Sequence, residues 1–214
     1  MSATKAVFVL IHGAWHNHSV WDRVTPILKA NGFAALTLDL PGAGVNAIAP
    51  TSLKRSPFDP AAFAAERSPV AGVTQAERTQ AVVALVKEAA SISDGRVVLV
   101  GHSAGGMTIS AVAEQVPNLL LAAVYLAGFM VPNGMPLLGM LQHDSLSSAL
   151  APRLFVGDPA AIGATRIKDG STNEAYRSIL KAATYGDVPE SAVAHAASQL
   201  HCDESNAGVV GLET

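Results

Sequence analysis

Short, nearly unbroken apolar runs alternate along this chain with longer stretches in which apolar residues return every three or four positions. Val7-Phe8-Val9-Leu10-Ile11 is one such run. Phe33 to Leu40 is a second, Val97-Val98-Leu99-Val100 a third, and residues 120–127 a fourth. Runs of this length fit strands covered on both faces. The stretches between them fit helices near 20–31, 75–92 and 105–116. In the first, Val20, Trp21, Val24, Ile27 and Leu28 recur at helical spacing, with Ser19 placed to cap the helix and Gly32 to close it. Thr74-Gln75-Ala76-Glu77 is a capping-box pattern that opens the second. Alternation of this kind predicts an α/β protein, a parallel sheet with helices on both faces.

Two regions break the rhythm. Between Val45 and Val73 lies a long connection carrying Pro50, Pro57, Pro60 and Pro69, within which residues 60–67 fit a short Ala-rich helix. It follows the C-terminal end of a strand, where a site would lie, and connections this long are usually functional or disordered. After Phe129 the strand–helix alternation stops. Met135–Leu141, Asn173–Ala183 and Glu190–Leu200 read as helical pieces, and Arg153 to Gly157 reads as a turn because Asp158-Pro159 follows it directly. The expected organisation is one domain, with a core over 1–130 and a mainly helical remainder over 131–214.

The chemistry concentrates where strands end. The run Val97–Val100 feeds into Gly101-His102-Ser103-Ala104-Gly105-Gly106, and a helix follows. A G-x-S-x-G sequence in that context fits a nucleophile turn. The serine backbone bends into a strained conformation, so glycine two positions before and two after gives it room. Such a turn lifts the Ser103 hydroxyl above the sheet edge and aims the Ala104 amide at the same space, with a helix N-terminus behind it. The first strand ends in His12-Gly13-Ala14-Trp15-His16. There Gly13 permits close backbone approach, and the Ala14 amide is a candidate second donor to a developing oxyanion. Gly13, Trp15, His16, His102 and Phe129 are candidate pocket residues. Taken alone, His-Gly-Ala-Trp is an ordinary strand-end turn; the serine turn downstream is what gives it weight.

Leu10-Ile11-His12-Gly13-Ala14-Trp15, then Asp39-Leu40-Pro41-Gly42-Ala43-Gly44, then Gly101-His102-Ser103-Ala104-Gly105-Gly106, together resemble the α/β-hydrolase superfamily. Within it, the chain resembles the branch of small-ester methylesterases and hydroxynitrile lyases. The resemblance implies Ser103 as nucleophile, the Ala14 and Ala104 amides as oxyanion hole, and a helical cap inserted after the strand that follows the serine helix. The lyases typically carry Thr after the first-strand His and Cys after the nucleophile. Gly13 and Ala104 stand at those positions here, which resembles the esterase side.

Composition narrows the picture. Half of the 214 residues are hydrophobic, 14% are charged, and the net charge is −3. That is enough chain for one sizeable core. The mild negative charge and scattered Lys and Arg point away from nucleic acid and anionic membranes as partners. The one cysteine, Cys202, cannot form an internal disulfide and fits a reducing compartment. No signal peptide pattern and no bilayer-length apolar run is visible, so a cytoplasmic protein is expected. No metal-ligand cluster and no phosphate loop appears, so no cofactor is expected, and a small-molecule ester is the expected ligand.

A nucleophilic serine needs a base and an orienting acid. The resemblance implies Ser, then Asp or Glu, then His, each after a later strand. Of seven histidines, His12, His16, His18 and His102 precede Ser103, whereas His143, His195 and His201 follow it. His12 fits a structural hydrogen-bonding role in its turn. His16 and His18 fit either a pocket lining or solvent contact. His143 and His195 fall among the helical pieces, and His201 ends one. Asp144, Asp158, Asp169, Asp187 and Asp203 read as surface, turn or helix-end carboxylates. No acid or base follows a convincing strand, so both are expected beyond Thr214. The family's C-terminal strands are expected to be missing, which leaves strand 120–127 with an unpaired edge. A serine esterase working through an acyl-enzyme is the leading expectation. A silent pseudoenzyme or small-molecule binding protein is the second, and a hydroxynitrile lyase the third.

Overall fold

A computed structural model describes residues 5–132, 140, 143–168 and 171–206. Four strands form one parallel sheet: β1 (Val7–Ile11), β2 (Ala34–Thr37), β3 (Val97–His102) and β4 (Leu120–Leu126), in the order β2-β1-β3-β4. The central pair are β1 and β3, the two strands whose C-terminal turns carry the candidate chemistry. Their register sets Ile11 beside Gly101. Both strands therefore end side by side, and His12-Gly13-Ala14 lies against Ser103.

The alternation of β1 explains the layers. Val7, Val9 and Ile11 pack with Val82, Val83, Val86, Ala89 and Ala90 and with Ile109 and Val112. These belong to α3 (Gln75–Ser91) and α4 (Gly105–Gln115). Leu10, with Phe8 at its edge, packs on the other side against Trp21, Val20 and Leu28. Helices thus cover both faces, as the sequence predicts. Thr74 and Glu77 form the reciprocal capping box, with Glu77 N–H donating to Thr74 Oγ1 at 3.2 Å and Thr74 N–H to Glu77 Oε2 at 2.7 Å. Among the described residues β4 has a neighbour on one side only, and Leu121, Val124 and Leu126 are exposed on it.

Three expectations change. The helix expected over 20–31 is two pieces, a 3-10 turn at His18–Trp21 and α1 (Thr25–Ala30). Pro26 has no N–H to donate to the carbonyl four residues back, so the helical ladder cannot run through it. Asn17 rather than Ser19 caps the first piece, accepting the Ser19 N–H at 2.9 Å. Strand β2 stops at Thr37, and the backbone then turns so that Asp39 accepts hydrogen bonds from the amides of His18 and Val45. The helix expected within 60–67 is α2 (Pro60–Ala65), capped by Asp59.

Beyond β4 the chain is not purely helical. The short α5 (Pro159–Ile162) leads into β5 (Ala164–Arg166), and α6 (Glu174–Thr184) and α7 (Glu190–Ser198) lead to β6 (Asp203–Ser205). Strands β5 and β6 pair antiparallel, with Ala164 opposite Ser205 and Arg166 opposite Asp203. Strands this short carry no readable alternation. The helices match the expected pieces within a residue or two, with Asn173 capping α6. The piece expected over Met135–Leu141 lies, apart from Met140, outside the described residues. A second apolar cluster gathers this part of the chain around Trp15, with Leu154, Ile167, Leu180, Tyr185 and Leu200. The distal segment is thus packed onto the turn that follows β1.

Candidate active site

Ser103 sits where β3 turns into α4, with φ at 51°. That left-handed conformation is rare for a residue with a Cβ and costs on the order of 1–3 kcal/mol. The surrounding contacts hold it. The Ser103 carbonyl accepts the N–H groups of Gly106 and Phe129, each at 3.0 Å, and its own N–H reaches Leu126 O at 3.3 Å. Phe129, a candidate pocket residue, therefore fastens the turn through its backbone, while its side chain packs beside Met107 and Val131.

Glycines make the geometry possible at two contacts. A Cβ on Gly105 would lie 2.6 Å from His12 O, and one on Gly13 would lie 2.8 Å from Ser103 Cβ. The β1 turn and the serine turn are in backbone contact there, which brings Ala14 and Ala104 to neighbouring positions. Among the described residues neither the Ala14 nor the Ala104 N–H donates a hydrogen bond within the chain. Ala104 stands at the N-terminus of α4 in helical conformation (φ −58°, ψ −24°).

The histidines divide by environment. His12 is fully buried; its Nδ1–H donates to Gly13 O at 2.9 Å, and its Nε2 accepts the Leu40 N–H at 3.1 Å. It joins the β1 turn to the β2 turn, the structural role expected of it. Burial lowers its pKa to about 4, which keeps it neutral. His16 is half-buried. Its Nδ1–H donates to Ala14 O at 2.7 Å, and its Nε2 lies 2.9 Å from the Tyr185 hydroxyl, which must donate to it. Burial lowers the His16 pKa and pushes the Tyr185 hydroxyl up to about 12. The His102 ring stacks edge-on between those of His16 and Trp21, at centroid distances of 6.4 and 6.5 Å, and burial lowers its pKa too. His18, by contrast, is exposed and pairs with Asp39 at 2.9 Å.

One carboxylate overturns its expected role, and a second enters that the sequence reading gave none. Asp203 is no surface group: it is buried and binds the Arg166 guanidinium through two parallel bonds of 2.6 Å. Arg166 continues to Phe63 O and Glu66 O, tying the β5–β6 ribbon to α2. Glu204 is likewise buried. Its Oε1 pairs with Arg78 Nη1, and its Oε2 accepts the Trp15 N–H at 3.3 Å. Burial would raise its pKa, but the Arg78 charge and the adjacent His201 outweigh this and hold it at about 2. Sequence reasoning missed this pair. The signal was in α3, where Arg78 stands one helical step before Val82 and Val86 on the buried stripe.

The remaining candidates are dispersed. Asp158 caps α5. Asp187 is exposed, and Asp169 lies outside the described residues. His143 precedes a 3-10 turn rather than lying in a helix, and hydrogen-bonds Ser145. His201 Nε2 is 3.8 Å from Glu204 Oε2, and among the described residues neither ring nitrogen has a hydrogen-bond partner. Among the described residues no imidazole or carboxylate hydrogen-bonds the Ser103 hydroxyl. None of them forms a cluster of three or more side chains able to hold a metal ion. No described helix is long and apolar enough to cross a membrane.

Known proteins resemble this chain in sequence and in fold. The chain is 32% identical over 123 residues to salicylic acid-binding protein 2 of Nicotiana tabacum, a match spanning 58% of this chain and 39% of that protein. It is 31% identical over 126 residues to methylesterase 1 of Arabidopsis thaliana, spanning 59% and 40%. The matched part is thus about two fifths of those relatives' length. An extracellular alpha/beta-hydrolase from a Paenibacillus species superimposes with a TM-score of 0.67 at 20% identity, over 98% of this chain and 71% of that one. The sequence pattern of the alpha/beta hydrolase family matches residues 8–207, which take in both strand-end turns and the distal ribbon alike. On that match and this fold, the chain belongs to the alpha/beta hydrolase family.

Proposed function

We propose that this chain is a serine hydrolase that cleaves a small carboxylic ester through an acyl-enzyme. Ser103 attacks the ester carbonyl as a base takes its hydroxyl proton, and the Ala14 and Ala104 amides receive the oxyanion. The C–O bond then breaks as that proton passes to the departing alcohol, and water releases the acid from the acyl-enzyme. The observation that carries the reading is the left-handed backbone at Ser103, wedged against Gly13 of the neighbouring turn. Strain of this order at one serine, on a strand-to-helix turn beside two amides that are unpaired among the described residues, supports a hydroxyl held for chemistry. The esterase names of its relatives support the substrate class. The helices after β4, packed on Trp15, would act as the cap, and their small and apolar residues favour a small, fairly apolar ester.

The test is hydrolysis of p-nitrophenyl acetate together with labelling by a fluorophosphonate. Wild-type protein should gain one label and turn over the ester, and Ser103→Ala should do neither. A second reading rests on the Ser103 hydroxyl having no imidazole or carboxylate partner among the described residues: a small-molecule binding protein that keeps the pocket and lacks turnover. Ester binding without labelling or hydrolysis would favour it. Gly13 and Ala104 argue against a hydroxynitrile lyase, and cyanide release from mandelonitrile would overturn that.

A further inference from the structure

The turn that carries the Ala14 amide is held by its own residues on one side, with Gly13 O accepting His12 Nδ1–H at 2.9 Å and His16 N–H at 3.4 Å, and from the far end of the chain on the other. Trp15 has φ at 59°, a second left-handed residue two positions from Gly13. All three of its polar groups are bound from the far end of the chain. Its N–H donates to Glu204 Oε2 at 3.3 Å, its carbonyl accepts the His201 N–H at 3.0 Å, and its indole N–H donates to Thr165 O at 2.9 Å. The peptide joining Ala14 to Trp15 is pinned at both ends. His16 Nδ1–H donates to its oxygen at 2.7 Å, and Glu204 takes its N–H. The Ala14 N–H lies in the preceding peptide, whose oxygen, Gly13 O, binds His12 Nδ1–H and His16 N–H. With the following peptide tied to Glu204 and His16 as well, the planes on both sides of the Ala14 Cα are held, and its N–H keeps one direction.

Glu204 is itself fixed. Arg78 on α3 pairs with its other oxygen, and Arg78 Nε donates to Pro41 O at 3.1 Å. One guanidinium thus joins α3, the β2 turn, β6 and the β1 turn. A buried ion pair of this type adds little net stability, because desolvation of the two charges offsets their attraction. Two hydrophobic side chains would serve the core as well. What a hydrophobic pair could not supply is an acceptor for the Trp15 N–H.

We propose that Glu204 is a positioning residue that aims the Ala14 amide at the Ser103 site by binding the Trp15 N–H, with Arg78 holding the carboxylate in place. This rests on the serine-hydrolase reading above. Removing a donor from an oxyanion site typically costs about 100- to 1000-fold in rate, and a misdirected donor keeps part of its effect. A loss of about tenfold or more is expected here.

Two double variants separate positioning from support. R78M/E204L and R78M/E204Q both remove the ion pair and leave no unpaired buried charge, so both should fold. They differ in that Gln keeps an acceptor oxygen facing the Trp15 N–H. The readout is the second-order rate of fluorophosphonate labelling, with thermal unfolding followed in parallel. The proposal expects R78M/E204L to label about tenfold or more slowly and R78M/E204Q to recover most of the rate, whatever the order of their melting temperatures. Equal rates in the two folded variants would overturn it. If either pair fails to fold, R78L/E204M and R78L/E204Q, which likewise leave no buried charge unpaired, make the same comparison. Wild-type protein that takes no label would instead remove the serine-hydrolase reading, and the positioning role with it.

Discussion

At single residues, the chain trades stability for geometry. Ser103 and Trp15 both hold left-handed backbones that glycine would adopt at no steric cost. Ser103→Gly should therefore be more stable than Ser103→Ala by about 1 kcal/mol, because both lose the hydroxyl and only alanine keeps the strain. Urea unfolding of the two variants measures the difference, and an equal or lower value for glycine would show that the turn is not strained. Gly105→Ala acts in the opposite sense. Its new Cβ would meet the rigid backbone at His12 O (2.6 Å) and Ile11 O (3.0 Å). A loss of about 1–3 kcal/mol is expected from forcing the turns apart, along with slower labelling at Ser103. Both glycines and the serine were legible in the sequence because the requirement is local: small residues at fixed offsets from a bend. Glu204 and Arg78 were not. They stand 126 positions apart, and an acidic residue near Cys202-Asp203 looks like any solvated helix end until its partner is known.

Among the elements, legibility follows length and continuity. Strands β1 and β3, and the long α3, could be read from unbroken runs, helical spacing and a capping box. The capping box gives a clean test away from the site: Thr74→Ala should cost about 1 kcal/mol, read from thermal or urea unfolding, with little change at Ser103. The segment after Ser19 could not be read correctly, because apolar spacing alone does not register the missing N–H of Pro26. The β5–β6 ribbon was missed for a different reason. Its three-residue strands hold charged residues at Arg166, Asp203 and Glu204, all buried. Pattern reading assigns such residues to the surface, because burial of a charge depends on a partner that a one-dimensional pattern does not contain.

For the whole molecule, these buried titratable groups set how the fold responds to acid. His12 is neutral and shielded, with its pKa lowered from 6.5 to about 4. Above the ordinary histidine value neither folded nor unfolded chain carries the proton. Between about 6.5 and about 4 the unfolded chain takes it up and the folded one does not, so stability falls as pH falls through that window. Below it, this group adds no further loss. The full displacement corresponds to about 3 kcal/mol. His16 and His102 are lowered as well and act with the same sign. Glu204 follows in the next window. As an acid whose pKa is held at about 2 rather than 4.5, it stabilises the fold above the upper value, and that contribution is lost as pH drops toward the lower one. Because the two windows adjoin, acid unfolding should begin near the histidine range and steepen as Glu204 is protonated. Urea unfolding at about pH 7 and about pH 5 should therefore give a clearly lower stability at the acidic value. His12→Gln, which keeps an acceptor for the Leu40 N–H but does not titrate, should flatten part of that difference. An unchanged slope in the variant would mean that His12 takes up its proton equally in the folded and unfolded chains and contributes nothing to the acid response.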